Sequence, residues 1–576
     1  MRLARRLGIA LLLLAVLVVV VRGVSSILSG SSAVEPGSTL VVELGGSYVE
    51  SAESPLMARL FGGGGRPFVG LLSQLTKAAR DERIGTVVLR IRGLKIGWGK
   101  AQELRTAITR LRESGHKTIA YLELAALTAH REYFVAVAAD EIHIVPGGSA
   151  PLVGLAAEYM YLGGMFEKLG IDFDVAKAGR YKSAVETLAG TGMSEASREM
   201  ANALLDSTSE QFIEAIAAGR GLEVAAVRER IDQGPMLASE LVSLGLADGI
   251  AHFDELVERQ DGELVEPEDY AAVSLESIGF DPEATFALVY GSGNVVGGNA
   301  TRDSQGNTVF SSGAFSDAIE QASEDDDVDA IIVRIDSPGG SALASELMWR
   351  AIRKAKEESD KPIIASFSDV AASGGYYVAS AADAIVASGT SITGSIGVFA
   401  VRPMLGGVLD KIGVQTEFLQ RGRHAVLQSG TQEWSEGARN RLERIVLDTY
   451  DQFLQRVADG RSLETAAVDK VAQGRVWTGR QALEHGLIDE LGGLREAVIR
   501  AKLAHGLDAD TDVALVTYPP PKSLTEQISE LLNARIAVGI RSQLPVPDAV
   551  VRLEKLFGAL PARTPLLVPP VLVEIR

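Results

Sequence analysis

Short runs of β-branched and apolar residues alternate along most of this chain with longer amphipathic stretches, the pattern of an α/β fold built on a largely parallel or mixed sheet. In the second half, Phe286–Tyr290, Ala330–Ile335 and Pro362–Phe367 predict buried strands, and Ser316–Glu324 and Ser341–Glu358 predict the helices between them. The first half repeats the order with Leu40–Leu44, Thr86–Ile91 and Lys117–Leu122 as strands, and its Gly62–Gly65 run predicts a flexible loop. Two regions break this rhythm. Near the start an uninterrupted apolar run, Leu7–Val21, follows Arg2, Arg5 and Arg6. Toward the end, prolines at 519, 520, 521, 545, 547, 561, 565, 569 and 570 exclude long regular elements, which reads as a docking or surface-covering tail.

As a helix, Leu7–Val21 reaches only about 22 Å, short of the roughly 30 Å hydrocarbon core of a bilayer. Continuation to Leu28, with Arg22 snorkelling outward, reaches about 33 Å. This predicts a tilted transmembrane anchor, with a cleaved signal peptide ending near Ser31-Ser32-Ala33 as the alternative. Either way the arginines stay cytoplasmic, so the chain after about residue 35 faces the outer, extracytoplasmic side of that membrane.

The alternation of elements is itself duplicated. Val135-Ala136-Val137-Ala138-Ala139-Asp140-Glu141-Ile142 matches Val378-Ala379-Ser380-Ala381-Ala382-Asp383-Ala384-Ile385 at an offset of 243, and Gly179-Arg180 matches Gly422-Arg423 at the same offset. Gly245-Leu246-Ala247-Asp248 matches Gly486-Leu487-Ile488-Asp489 at 241. A register held over such a length marks an internal repeat. The chain therefore divides into an anchor (1–35), a first repeat (36–275), a second repeat (276–515) and a Pro-rich tail (516–576). Length alone, 576 residues, suggests about three to five domain-sized units, and 46% hydrophobic and 23% charged residues are a globular mixture that excludes a wholly disordered, collagenous or polytopic membrane chain. A net charge of -19 gives nucleic-acid binding no electrostatic support. The absence of Cys excludes disulfides, thiolate nucleophiles and thiolate-bound metal centres.

Two glycine-rich turns follow predicted strands of the second repeat. In Arg334-Ile335-Asp336-Ser337-Pro338-Gly339-Gly340-Ser341 the proline ends the strand and the glycines free backbone N–H groups to face a ligand, although a phosphate-cradling loop or a plain turn fits equally. In Asp369-Val370-Ala371-Ala372-Ser373-Gly374-Gly375-Tyr376-Tyr377 the hydroxyl of Ser373 falls on a strand-to-helix junction, at the positive end of a helix dipole. An N-cap serine occupies the same place but has no need of the two glycines behind it. A serine nucleophile requires a base. None of the seven histidines, at 116, 130, 143, 252, 424, 485 and 505, carries a triad-like signature. A lysine kept neutral by desolvation is the other option. Lys182, in Ala178-Gly179-Arg180-Tyr181-Lys182-Ser183-Ala184, sits among small and apolar neighbours after a β-like run.

Ser337-Pro338-Gly339-Gly340, Ala372-Ser373-Gly374-Gly375-Tyr376-Tyr377, Thr393-Gly394-Ser395-Ile396-Gly397-Val398 and Tyr181-Lys182-Ser183 together resemble the signal peptide peptidase A (protease IV) family in its long, duplicated form, within peptidase family S49. The resemblance covers the anchor and both repeats. It implies two tandem repeats of the Clp protease/crotonase-like fold behind a transmembrane helix, and a serine peptidase that uses a Ser/Lys dyad without cofactor or metal. Residue by residue, it makes Ser373 the nucleophile, Lys182 the general base, and the backbone N–H groups of Gly339 and Gly374 the oxyanion hole. Ser183 or Ser395 would hold the lysine amine in line. The implied substrates are remnant signal peptides and other extended apolar peptides. The implied partners are the lipid bilayer, through residues 7–28, and further copies of the chain in a homo-oligomeric ring, a tetramer. At the 243 offset Ser373 and Gly374 correspond to His130 and Arg131, and Lys182 corresponds to Ala425, so each repeat alone lacks half of the dyad. Two rivals remain: a catalytically silent peptide-binding scaffold, and a crotonase-type acyl-thioester enzyme, which would use acidic residues and a coenzyme that an exported site lacks.

Overall fold

The computed structural model describes residues 34–50, 65–124, 129–520 and 566–567. The anchor at 7–28, the loop up to Gly64 and most of the tail lie outside these. Among the described residues no helix is long and apolar enough to cross a membrane.

In the first repeat β1 (Ser38–Val49), β2 (Ile84–Lys95), β3 (Lys117–Leu122) and β4 (Glu141–Ile144) pair in that order, all parallel. Helices α1 (Phe68–Arg80), α2 (Trp98–Glu113) and α3 (His130–Ala136) make the crossovers, and β5 (Asp172–Ala178) and the long α4 (Glu195–Arg220) follow. Parallel strands with both faces covered read as nearly unbroken apolar runs, which is why Val87, Val88, Leu89 and Ile91 of β2 are all fully buried. Helix α4 is delimited by its ends: Ser194 accepts from the N–H of Ser197, and Gly221 takes the left-handed conformation that stops the helix.

The second repeat has the same order: β6 (Ala284–Ser292), β7 (Ala330–Ser337), β8 (Ile363–Ala372) and β9 (Ala384–Ala387), again parallel. Its helices are α5 (Ser312–Glu324), α6 (Ala342–Glu358), α7 (Gly374–Ala379), α8 (Glu436–Arg461) and α9 (Leu494–His505). Two more strands extend the sheet at the far end of β8, β10 (Ile392–Gly394), which pairs with it, and β12 (Val476–Thr478), antiparallel to β10, while β11 (Val398–Met404) belongs to a separate sheet. All the strands and helices predicted within the two repeats are present, most with longer bounds. One element crosses an expected boundary: β13 (Val513–Tyr518) runs past residue 515 because its backbone pairs with β6 from Ala284 to Val289.

The repeats interlock. β5 of the first pairs antiparallel with β11 of the second over its full length, from Asp172↔Met404 to Ala178↔Val398. From α1, Val69 and Leu72 pack on apolar residues of the second repeat, and Arg80 meets Asp512 at 2.5 Å. The β5–β11 pairing positions the site, because Lys182 follows the end of β5 and Ser395 precedes the start of β11.

Candidate active site

Ser373 stands between β8 and α7 with φ 54° and ψ -115°, a backbone conformation that L-residues rarely adopt and that turns tight junctions into displays for one side chain. The surroundings enforce it. Its N–H donates to Gly394 O at 2.8 Å, its carbonyl accepts from the N–H of Tyr377, and the hydroxyls of Tyr376 and Tyr377 anchor α7 through Leu487 O and Glu346. Gly374 has no room for a side chain: a Cβ there would lie 2.6 Å from Ser345 Oγ and 3.2 Å from Gly340 N. The Ser373 turn and the Pro338-Gly339-Gly340 turn are thus packed backbone to backbone. As the first residue of a helix, Gly374 has no intrahelical acceptor for its N–H. Gly339, at φ 98°, differs from the expectation: its N–H already donates to Ser337 Oγ at 3.1 Å, and that hydroxyl donates to Gly293 O at 2.6 Å. The turn motif conceals this bond because Ser337 reads in sequence as only a turn residue.

Lys182 is fully buried, and its Nζ lies 2.9 Å from Ser373 Oγ, 2.9 Å from Ser395 O and 3.0 Å from Ser395 Oγ. No carboxylate is among these partners. Burial alone therefore holds the amine well below its usual range. Ser395, itself at φ 53°, is fixed by its N–H to Arg475 O. Gly474 (φ 76°) backs the lysine so closely that a Cβ there would lie 2.6 Å from Lys182 Cβ. Of the two serines expected to orient the amine, Ser395 is the one in hydrogen-bond contact with it. Ser183 is buried and lines the adjoining cavity, but is not among the partners of Nζ. His130, in the place of Ser373 in the first repeat, packs edge-on to Phe212, and burial beside Arg131 lowers it to about 4. It is a neutral wall residue of the same cavity.

That cavity holds about 960 Å³ between the repeats. Apolar Trp98, Met200, Leu204, Ile392 and Val476 share its lining with Asp336, Asp369 and Lys100. Sequence reasoning missed the last three as a group. Lys100, buried, meets Asp336 at 2.6 Å, Asp369 at 2.8 Å and Glu50 at 2.9 Å. Glu50 continues to Arg334, which also holds Glu103 at 2.6 Å. The only sequence signal was that Asp336 and Asp369 belong to the two turn motifs. Among the described residues no cluster of His, Asp and Glu is arranged to hold a metal ion.

The model of peptidase family S49 matches this chain twice, over residues 110–265 and 355–508. The chain is 34% identical to the chloroplastic serine protease SPPA of Arabidopsis thaliana over 90% of its own length and 77% of that protein's. It is 31% identical to Protease 4 of Haemophilus influenzae, over 71% of this chain and 68% of that one. Among solved structures, a variant of the 1510-N membrane-bound stomatin-specific protease is 17% identical, with a TM-score of 0.27 over 41% of this chain and 98% of that one. The two family matches fall one on each repeat, the first covering Lys182 and the second Ser373, so this chain belongs to peptidase family S49 and is a serine peptidase.

Proposed function

We propose that the chain is a membrane-anchored endopeptidase with a Ser373/Lys182 dyad that degrades cleaved signal peptides and other extended apolar peptides on the outer side of the cytoplasmic membrane. The observation that carries this reading is the 2.9 Å approach of Lys182 Nζ, from the first repeat, to Ser373 Oγ, from the second, with no carboxylate beside the amine. With Nζ donating to Ser395 O and Oγ, the lone pair of the neutral amine is left for the serine proton. Ser373 Oγ attacks the peptide carbonyl carbon as its proton moves to Nζ. The carbonyl oxygen becomes an oxyanion, held by the N–H of Gly374 and by that of Gly339 once it leaves Ser337 Oγ. Collapse breaks the C–N bond, and Nζ returns the proton to the leaving amine. Water then repeats the cycle on the acyl-serine.

The extended-peptide substrate is supported by the tail. Leu566–Leu567 runs antiparallel between Gly340–Ser341 and Phe399, so the gap beside the oxyanion turn accepts one extended backbone. The signal-peptide reading rests on the apolar lining of the cavity and on the relatives, one of them named a putative signal peptide peptidase in Enterococcus faecium. The anchor reading rests on Arg2, Arg5 and Arg6 before the apolar run.

Assembly into a homo-oligomer is supported by the repeat itself. Moved by 243 residues, β11 falls on 155–161 and β5 on 415–421, and neither segment is part of a strand in the single chain. Both carry exposed apolar side chains, Met160 at 70% and Leu419 at 98%. Pairing 155–161 of one copy with 415–421 of the next, in the register of β11 with β5, sets Leu155 opposite Arg421 and Tyr161 opposite Gln415. Such a head-to-tail contact propagates from copy to copy, and a rotation that closes makes it the ring. The chain lacks Cys, so Glu158→Cys with Phe418→Cys should give interchain products with a short bis-maleimide, and a strictly monomeric, fully active enzyme would refute the ring.

The direct test incubates the purified full chain with synthetic signal peptides. Ser373→Ala and Lys182→Ala should each abolish cleavage, and the double variant should lose no more than either single one. Substantial turnover by either single variant overturns the dyad.

A further inference from the structure

Two lysines of the first repeat are fully buried at the junction with the second, and their surroundings are opposite. Among the described residues the partners of Lys182 Nζ are hydroxyl and carbonyl oxygens. Lys100 faces three carboxylates, and although burial alone would lower it, Asp336, Asp369 and Glu50 hold it well above its usual range. One is suited to be a base, the other to be a permanent cation.

The cation sits where two strands leave the sheet toward the reacting groups. Asp336 closes β7 three residues before Gly339, and Asp369 lies in β8 four residues before Ser373. Asp336 Oδ1 also accepts from the N–H of Val370 at 3.1 Å, tying the two strand ends to each other. Asp369 accepts from the N–H groups of Gly97 (3.0 Å) and Lys100 (2.8 Å), so it caps α2 from the opposite repeat. The approach is tight. A Cβ on Gly97 would lie 2.3 Å from Asp369 Cγ, and one on Gly99 2.5 Å from Ser368 O. Glu50 extends the tie from Lys100 to Arg334 of β7 and Ser368 of β8.

We propose that Lys100 is a positioning residue that, through Asp336 and Asp369, aligns the oxyanion turn at Gly339 with the nucleophile turn at Ser373. The first repeat thereby contributes a second lysine to catalysis, one that acts through its carboxylate partners and not on the reacting atoms. Without it two carboxylates at adjacent strand ends repel, and the two turns move apart by fractions of an ångström, enough to matter in a tetrahedral transition state. The inference rests on the Ser373/Lys182 reading.

The test compares the full-length wild type with Lys100→Met, Lys100→Arg, Asp369→Asn and Ser373→Ala, with rates expressed per site titrated by a fluorophosphonate, or per mole of chain for Ser373→Ala, which has no site to titrate. Each is measured with a peptide substrate and with the peptide aldehyde of the same sequence, which mimics the tetrahedral state. Lys100→Met and Asp369→Asn should lower kcat per site by about tenfold to a hundredfold and weaken the aldehyde equally, with KM unchanged and Lys100→Arg restoring most of the loss. A role in folding alone would lower the number of titratable sites and leave kcat per site and aldehyde affinity intact, and that result overturns the proposal. Should Lys100→Met fail to fold, Asp369→Asn, which preserves volume and one hydrogen-bonding oxygen, decides the matter by the same readouts. Turnover by Ser373→Ala would sink the dyad itself, whereas an inactive Ser373→Ala beside a wild-type-like Asp369→Asn sinks only the positioning role.

Discussion

Replacing Lys182 with Met should remove a pH dependence of stability that the wild type carries. The amine is fully buried and burial depresses it below 10.5, so between its native value and 10.5 the unfolded chain binds one proton more than the native chain. The sign follows: stability rises with pH through that window, by about 1.4 kcal/mol per pH unit for one proton, and is flat below the native value. Lys182→Met lacks this contribution at every pH. The variant also deprives Ser395 O of its donor, a pH-independent loss of about 1–3 kcal/mol. The difference between wild type and variant should therefore move toward the wild type by about 1.4 kcal/mol for each unit of rising pH, whatever its offset. Guanidinium unfolding of both proteins at a series of pH values from neutral to mildly alkaline measures that slope. Parallel curves would refute the reasoning, since they would mean that Lys182 keeps its proton in the native state and cannot act as a base.

Three further outcomes follow from the site and its frame. kcat/KM should rise with pH on a limb whose apparent pKa lies below 10.5 and survives His130→Gln; a limb near 6.5 that disappears with His130 would assign the base elsewhere. Arg334→Met strands Glu50 and Glu103, both buried, without their shared cation and should cost about 3–5 kcal/mol in denaturant titrations; a loss under about 1 kcal/mol would show that the network is not a structural tie. Gly474→Ala forces a side chain against Lys182 from a left-handed backbone position and should lower kcat about tenfold or more at constant KM in steady-state kinetics, while unchanged kcat would show that the lysine tolerates displacement.

What was legible in the sequence, and what was not, divides along physical lines. The parallel strands could be read because burial on both faces leaves runs such as Ala330–Ile335 almost wholly apolar. Ser373 and Lys182 could be singled out by the two glycines behind the serine and the small, apolar neighbours of the lysine, their roles came from the family resemblance, and the repeat offered an internal check, with His130 and Ala425 in the corresponding places. Lys100 could not. A lysine in the first turn of an amphipathic helix reads as solvated, and its partners Asp336 and Asp369 are 236 and 269 residues away, brought to it only by packing of α2 on β7 and β8. The β5–β11 pairing was equally hidden, since two seven-residue segments from different repeats carry no local mark of each other. The role of Ser395 was visible in its hydroxyl but not in its carbonyl, which any residue would supply. The commitment of the Gly339 N–H to Ser337 was invisible for the same reason, being set by turn geometry.

The central claim is a single dyad completed across two repeats, neither of which is sufficient alone. Peptide mapping by mass spectrometry after fluorophosphonate treatment of the full chain tests it most directly. The account predicts one adduct, on Ser373, formed faster as pH rises in the wild type and slowed by orders of magnitude in Lys182→Met. An adduct on another serine, or labelling of Ser373 in Lys182→Met at the wild-type rate, would contradict it.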